Sequence, residues 1–177
     1  LCQILERCTR LTTQNVATGT VPRNQNLLIN GDFESGEGSW TYGFSRSSGV
    51  SGQAAVLSRG GYLQQNLPRE DVEIGAIYTL SAEMKSSTAE ACTIGVAYFD
   101  PSGNVTRKTL DFGAVTPEQW QKAQMDFTIP VNRTLMVTYL ESHGGSCAFD
   151  NIDLRIKGEE TPASIETEWL KFGGVLP

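Results

Sequence analysis

The side chains best suited to catalysis in this sequence are one histidine and a scattered set of carboxylates. His143 lies in the glycine-rich run His143–Ser146, so a serine–histidine–acid arrangement has at most one possible centre. No spacing among the Asp and Glu residues singles out a pair for hydrolysis of a glycosidic bond, where separation in space decides the matter. The sequence contains no GxGxxG, GxxxxGK or HExxH motif. We therefore predict that the chain is not an enzyme and that His143 is an ordinary loop residue.

The four cysteines leave two alternatives open. Cys2 and Cys8 are six residues apart, which is neither a CxxC motif nor a zinc-ligand spacing. Cys92 and Cys147 both fall in predicted strands, where they form either a disulfide or two small buried thiols.

Composition excludes some classes of partner. The net charge is −6 in 177 residues, and Lys and Arg form no cluster of the kind that binds phosphate groups. The apolar runs are far shorter than the roughly 20 residues that cross a bilayer. We therefore predict no nucleic-acid partner and no membrane insertion.

Short apolar runs separated by turn residues predict an all-β chain. In 77–86 and 121–129, apolar and polar residues alternate, so each strand has one face for a core and one for solvent. Two sheets must then cover each other, which predicts a two-sheet antiparallel β-sandwich, or jelly roll. The predicted strands are 26–30, 40–45, 54–58, 61–67, 76–86, 91–99, 105–111, 120–129, 134–141 and 147–156.

The two ends of the chain differ from this central module, 26–157. Residues 1–25 predict a short N-terminal helix and a linker, because apolar residues recur every three or four positions before a polar stretch with Pro22. Residues 158–177 predict an extended C-terminal tail that docks on this chain or a neighbouring one, since Trp169, Leu170 and Phe172 are apolar. The chain begins at Leu1 without a signal peptide, so we expect it to be part of something longer.

Six short motifs follow one another along residues 26–156. They are NLLINGDFE at 26–34 with Gly36, Gly38 and Trp40; Ser51-Gly52 before an Ala-rich strand, then Leu63-Gln64-Gln65; GAIYTLS at 75–81; FDPSG at 99–103; TPEQWQ at 116–121 with FTIP at 127–130; and FDNIDL at 149–154. In this order they resemble the carbohydrate-binding modules attached to xylanases and cellulases, of the galactose-binding-like jelly-roll superfamily. Similar modules occur in phage tail fibres.

The resemblance implies a non-catalytic glycan-binding module that tethers a larger extracellular or virion-surface protein to polysaccharide. Its partners would be a polysaccharide or cell-surface glycan and other subunits or domains of the parent protein. The alternative is a structural or assembly domain of a phage fibre, tail or capsid appendage that does not bind sugar. The apolar residues of both chain ends favour that alternative, because a free-standing sugar binder needs neither.

Tyrosines with polar neighbours are the candidate glycan-binding residues. Aromatic rings stack on the apolar faces of sugar rings, while amides and carboxylates bind the hydroxyl groups. The resemblance puts Met136, Thr138 and Leu140 in the core, so Tyr139 is expected on a concave face that also carries the polar row Thr79, Ser81, Glu83 and Lys85. Trp40 and Trp120 are expected in the core. The candidate ligand-binding residues are Tyr62, Gln64, Tyr98, Tyr139 and Glu141.

The resemblance also implies a structural Ca²⁺ between the opening NGDFE and closing FDN segments. Calcium takes six to eight oxygen ligands from carboxylates and carbonyl groups. Glu34 and Asp150 would supply side-chain oxygens, and Asp32 its carbonyl or carboxylate. A further family ligand falls near Ser51, which has no carboxylate. The alternative is that these acids only cap turns and face solvent.

Overall fold

Two antiparallel sheets account for the strands of the computed structural model, which describes residues 23–36, 38–68, 72–89, 92–133 and 135–158. The strands are β1 (Ser45–Ser48), β2 (Gln53–Leu57), β3 (Tyr62–Pro68), β4 (Ile77–Ser86), β5 (Cys92–Phe99), β6 (Val105–Thr109), β7 (Trp120–Thr128), β8 (Leu135–Ser142) and β9 (Cys147–Ile156). One sheet has the order β1-β2-β9-β4-β7 and the other β3-β8-β5-β6. The predicted all-β sandwich is confirmed.

The predictions for the two ends of the chain lie outside the described residues. The predicted N-terminal helix and most of its linker fall in 1–22, and the predicted C-terminal tail falls almost entirely in 159–177. Within the described part of the chain, no helix is long and apolar enough to cross a membrane.

Alternation along the strands produces the core between the sheets. In β4, Tyr78, Leu80, Ala82 and Met84 are buried, whereas the residues between them are only partly covered. Phe127 of β7 stacks on Tyr78, with ring centroids 5.6 Å apart. Removing these apolar surfaces from water is the main source of stability in such a fold.

The first two predicted strands, 26–30 and 40–45, are wrong. Asn30 and Tyr42 have positive φ angles of 55° and 70°, which break an extended run. The chain at 26–34 forms turns instead, and the first strand begins only at Ser45.

The opening segment is nevertheless attached to the closing strand β9, as the motifs predict. The Leu27 N–H donates to the Leu154 carbonyl at 2.7 Å, and the Ile152 N–H donates to the Gly31 carbonyl at 2.8 Å. The Asn26 side chain adds two bonds to the same strand, accepting from the Leu154 N–H at 2.9 Å and donating to the Ile152 carbonyl at 2.9 Å. The Asn26 amide thus adds to the two backbone bonds and helps to hold a non-strand segment on β9.

The two tryptophans have different positions. Trp40 is buried beside Phe33, with ring centroids 5.4 Å apart, so the expectation for Trp40 is confirmed. Trp120 pairs with Lys85 across the β4–β7 ladder and lies on the outer face of the five-stranded sheet, with the Lys85 Nζ 5.4 Å from its ring centroid. The expectation that Trp120 packs in the core is therefore wrong, because directly opposite residues share a face.

A disulfide joins the two sheets. Cys92 of β5 and Cys147 of β9 are bonded, with 5.7 Å between their Cα atoms. The sequence left open whether Cys92 and Cys147 form a disulfide or remain two buried thiols, and the structure shows the disulfide. It fixes one end of the sandwich, since β5 and β9 belong to different sheets.

We expect the double substitution Cys92→Ala, Cys147→Ala to lower the free energy of unfolding by about 2–4 kcal/mol, because the bond closes a long loop in the unfolded chain. Urea denaturation followed by tryptophan fluorescence measures this change. Wild-type protein under reducing conditions should match the double variant. Equal stability of oxidised and reduced wild type would contradict the expectation.

Candidate functional site

The outer face of the four-stranded sheet brings together four of the five candidate ligand-binding residues. Tyr62 and Gln64 of β3 lie opposite Glu141 and Tyr139 of β8, respectively. Arg107, from β6 at the edge of the same sheet, reaches over both β8 residues. We refer to Tyr62, Gln64, Arg107, Tyr139 and Glu141 as the tyrosine face.

Tyr139 is the floor of the tyrosine face. Its ring is almost parallel to that of Tyr62, at 14° and 6.5 Å between centroids, but its side chain is only 2% exposed. The hydroxyl lies 3.2 Å from the Thr109 Oγ1. Gly95 lies against the ring, because a Cβ at this position would be 2.7 Å from the Tyr139 hydroxyl. Tyr139 therefore points away from the core, as predicted, and is a buried support for the groups around it.

Arg107 covers Tyr139 and neutralises Glu141. Its guanidinium carbon is 5.0 Å from the centroid of the Tyr139 ring, and its Nη1 donates to the Glu141 Oε1 at 3.2 Å. The second oxygen of Glu141 lies 3.5 Å from His143 Nε2, which is also 3.1 Å from the Thr93 hydroxyl. One carboxylate is thus placed between two basic side chains, with a fixed orientation toward the face.

Tyr62 is the more accessible ring of the stacked pair. Burial, and next the nearby Glu141 carboxylate, raise the pKa of Tyr62 above its usual value, so the hydroxyl stays protonated and can donate. It donates to the Gln64 Oε1 at 3.0 Å. The ring of Tyr42, from the loop before β1, meets that of Tyr62 nearly edge-on at 5.9 Å and 64°.

Tyr98, the fifth candidate ligand-binding residue, lies in the core and not on the tyrosine face. It is 1% exposed and points between the sheets, where its ring centroid lies 6.2 Å from that of Phe127. Tyr98 pairs with Met136 on β8, and the alternation that turns Tyr139 outward turns both of these inward. Burial also raises the pKa of Tyr98 to about 12. Tyr98 is therefore a core residue, and its nomination as a ligand contact is wrong.

The expectation that the polar row of β4 shares a face with Tyr139 is also wrong. Thr79, Ser81, Glu83 and Lys85 belong to the five-stranded sheet, whereas Tyr139 belongs to the other one. Glu83, for example, accepts from the Asn151 side chain of β9 at 2.9 Å. The row and Tyr139 both point away from the core, but from opposite sides of the sandwich.

Sequence reasoning missed two members of this region, Arg107 and His143, and gave Tyr42 only as a residue after Trp40 that could line a binding loop. His143 lies in a loop as predicted, yet that loop carries it beside Glu141. Arg107 is reached only by the pairing of β6 with β5, and no residue spacing shows this register. For Tyr42, the available signal was an aromatic between two buried aromatics, Trp40 and Phe44.

The carboxylates nominated for calcium hold the loop between β1 and β2. Asp150 is buried, and its Oδ2 accepts from the N–H groups of Val50 at 2.7 Å and Ser51 at 3.3 Å. Burial raises the pKa of the Asp150 carboxyl and is its largest influence. The N–H groups that donate hydrogen bonds to this carboxylate lower the pKa by a smaller amount. Glu34 accepts from the Gln53 N–H at 2.6 Å.

Asp32 does not join these two acids. It is exposed, and its Oδ1 accepts from the Glu34 N–H at 3.4 Å. Among the residues that the structure describes, no three side chains of His, Cys, Asp or Glu form a group able to hold a metal ion. A calcium site here would depend on backbone carbonyl groups as well as on Glu34 and Asp150, and it stays a prediction.

Comparison with known proteins identifies the family. A family profile described as a carbohydrate binding domain matches residues 25–147. The chain belongs to this family. No curated protein matches the chain.

Solved structures show the same fold at low sequence identity. The C-terminal family 22 carbohydrate binding module of Clostridium thermocellum Xyn10B is 19% identical, with a TM-score of 0.59, over 72% of this chain and 92% of that one. Family 16 Carbohydrate Binding Module-2 is 21% identical, with a TM-score of 0.56, over 73% and 99%. The enzymatically active domain of bacteriophage CBA120 tailspike protein 4 is 16% identical, with a TM-score of 0.54, over 74% of this chain and 21% of that one.

The family confirms the predicted class of protein. This chain is a non-catalytic glycan-binding module, and the alternative of a purely structural or assembly domain is not favoured.

We expect Gly95→Ala to lower the free energy of unfolding by about 1–3 kcal/mol, since the added methyl group would meet both the Lys108 carbonyl and the Tyr139 hydroxyl. Thermal unfolding measures the loss. Gly144→Ala is the matched control, because no heavy atom lies within 4 Å of its would-be Cβ. If both variants unfold at the wild-type temperature, the contact between Gly95 and Tyr139 is not as tight as described.

Proposed function

We propose that the tyrosine face is the glycan-binding site of this module, and that the module tethers a larger extracellular protein to polysaccharide. The observation that carries the proposal is the arrangement of Tyr62, with its ring partly exposed and parallel to the Tyr139 ring, beside the Glu141 carboxylate. Sugar rings have one apolar face, which stacks on such a ring, and hydroxyl groups at their edge.

Polar groups lie beside Tyr62 on the same face of the sheet. Gln64 is two residues along the same strand, and Glu141 is directly opposite on β8. Arg107 and His143 hold the Glu141 carboxylate in place, which leaves less orientation to be fixed on binding. The face therefore combines one hydrophobic contact with preorganised acceptors and donors, as glycan sites do.

The contacts within the face support a binding role for this domain and not a catalytic one. The single histidine interacts with Glu141 and Thr93, and the Glu141 carboxylate interacts with two basic groups. Those contacts suit binding and give no separated acid and base for hydrolysis. We therefore assign catalysis, if the parent protein has it, to other domains.

The ends of the described chain support the tethering role. The Asn24 N–H donates to the Ile156 carbonyl at 3.1 Å, and the Asn24 side chain accepts from the Gly158 N–H at 3.1 Å. The chain thus enters and leaves the sandwich at one place, so that both flanking segments start side by side.

This place lies at the end of the sandwich opposite to Tyr62. Ile156 pairs with Tyr78, whose ring stacks on Phe127, and Phe127 contacts Tyr98 near the end of β5. Thr93, near the start of β5, pairs with Glu141 of the tyrosine face. Tyr98 lies five residues further along β5 than Thr93, a distance of about 17 Å. The module therefore directs its proposed site away from the neighbouring parts of its parent.

An extracellular location agrees with the disulfide between Cys92 and Cys147, since such bonds persist in oxidising compartments. Among solved relatives of the same fold is a xylan-binding domain, 20% identical, and amino acids in the cleft of the Clostridium module have a role in its ligand binding. Xylan-type oligosaccharides are therefore the first ligands to test on this chain.

We further propose that Ca²⁺ stabilises the module by binding Glu34 and Asp150, with the main-chain carbonyl of Asp32 and carbonyl groups of the loop between β1 and β2 as additional oxygen ligands. The two carboxylates lie close to glycines of the loop between β1 and β2. A Cβ at Gly49 would be 2.4 Å from the Asp150 Oδ2, and a Cβ at Gly52 would be 2.0 Å from the Glu34 Oε1. Both acids therefore lie against the same loop, and carboxylate oxygens together with loop carbonyl groups are the ligands that a hard cation prefers.

Tyr62→Ala should weaken glycan binding by about 1–3 kcal/mol, because it removes the accessible stacking surface, while the free energy of unfolding changes little. A glycan array identifies the ligand, and isothermal titration calorimetry measures the affinity. Trp120→Ala is the matched control, an aromatic on the outer face of the other sheet, and should bind as wild type. The proposal fails if no glycan binds, or if Trp120→Ala and not Tyr62→Ala abolishes binding.

Saturating Ca²⁺ should raise the thermal unfolding midpoint relative to protein in EDTA, with about 2.7 kcal/mol of added stability at a concentration 100 times the Kd. Glu34→Gln keeps an acceptor for the Gln53 N–H but removes the charge, so most of the calcium effect should disappear. An equal rise in wild type and variant, or no rise in either, would rule out the proposed site.

A further inference from the structure

The single histidine of this chain lies beside the carboxylate of the tyrosine face. His143 belongs to the short loop between β8 and β9, and its Nε2 lies 3.1 Å from the Thr93 Oγ1 and 3.5 Å from the Glu141 Oε2. The first distance is that of a hydrogen bond, whereas the second is longer than one. His143 is therefore bonded to Thr93 and adjacent to Glu141 without a hydrogen bond to it.

The two oxygens of the Glu141 side chain differ in their contacts. The Oε1 atom accepts from the Arg107 Nη1 at 3.2 Å. Among the residues that the structure describes, none donates a hydrogen bond to the Oε2 atom, and the side chain of Glu141 is 16% exposed. A glycan hydroxyl placed on the tyrosine face would therefore donate to Oε2.

The loop that carries His143 has a fixed backbone. The Ser142 Oγ donates to the Gly145 carbonyl at 2.7 Å, and the Ser146 N–H donates to the Ser87 Oγ at 2.8 Å. The imidazole itself is more than half exposed, so it has room to turn. A change at this position therefore concerns the orientation and charge of the ring, because the loop stays in place.

The charge of His143 determines whether the Glu141 Oε2 remains available. A neutral imidazole can accept from the Thr93 hydroxyl at Nε2, and this nitrogen then has no proton to give to the carboxylate. A protonated imidazole has a proton on both ring nitrogens, so Nε2 can only donate. Its bond to a carboxylate is stronger than its bond to a neutral hydroxyl. Protonation therefore turns the ring from Thr93 toward Oε2.

The other charged groups around His143 keep their charge near neutral pH. Strand β6 contributes Arg107, and the loop after β2, which is bonded to the end of β8, contributes Arg59. Both guanidinium groups stay protonated. Burial raises the pKa of Tyr62, so this hydroxyl stays neutral. Histidine is the side chain that ordinarily changes charge between pH 5 and 8.

We propose that His143 is a positioning residue that makes glycan binding depend on pH. The neutral imidazole leaves the Glu141 Oε2 to a sugar hydroxyl, and the protonated imidazole occupies it. The inference rests on the proposed function of the tyrosine face. Glycan and proton then compete, so binding of the glycan releases a proton from His143. Affinity is full at about pH 8 and falls as the pH is lowered toward about 5.

The test uses wild type, His143→Gln and His143→Lys in the full chain, with the oligosaccharide that binds wild type best on a glycan array. Titration calorimetry should show wild type binding about threefold to fivefold more weakly at pH 5 than at pH 8, as expected for one partly exposed ion pair. His143→Gln has no charge to gain, so its affinity should be equal at the two pH values. His143→Lys is always charged and should bind at both as weakly as wild type does at pH 5.

Proton release gives a second and independent measurement. Calorimetry near pH 6.5, in buffers that differ in ionisation enthalpy, should show protons released when wild type binds the glycan and none when His143→Gln does. Arg59→Gln is the matched control, because it removes a neighbouring charge that does not titrate and should keep the pH profile of wild type. The thermal unfolding midpoints of all three variants should match that of wild type, since these side chains are exposed.

The outcomes separate this inference from the proposed function. If wild type and His143→Gln bind a glycan with the same pH profile, or if wild type binds more tightly at pH 5, the role of His143 is wrong while the tyrosine face stands. If wild type binds no glycan at either pH, the proposed function fails and the role of His143 fails with it.

Discussion

The constraint on which the rest of the structure depends is that the apolar sides of two antiparallel sheets must cover each other. Each strand then has one face in the core and one outside, and a shift of one residue would exchange them. This alternation places Tyr98 against Phe127 inside and Tyr139 outside, although both are tyrosines in the two central strands of one sheet. The same rule leaves Tyr62 on the outer face beside Tyr139.

The tyrosine face is a surface on which polar and aromatic groups hold one another. Tyr139 supports the Arg107 guanidinium, Arg107 pairs with Glu141, and Glu141 also approaches His143. An exposed pair of charges contributes little to stability by itself. Here the contacts fix the orientation of the side chains before a ligand binds, and side chains already held in place lose less entropy on binding.

Much of the fold followed from the sequence, and the exceptions have a local cause. Strands β4 and β7 were predictable because apolar and polar residues alternate over nine or more positions. The segments 26–30 and 40–45 failed because single residues, Asn30 and Tyr42, turn the chain through positive φ angles. The Asn26 side chain then supplies two bonds to β9 in addition to the two that the backbone of this segment makes.

The sequence by itself determined the class of fold, the order of its motifs and four of the five residues that the tyrosine face contains. It could do so because period-two alternation and short motifs are local properties of the chain. Only the tertiary structure decided that Arg107 covers Tyr139, that Trp120 lies outside and that Tyr42 meets Tyr62. These contacts join strands or loops that are far apart in sequence, and their register is set by how the two sheets pack.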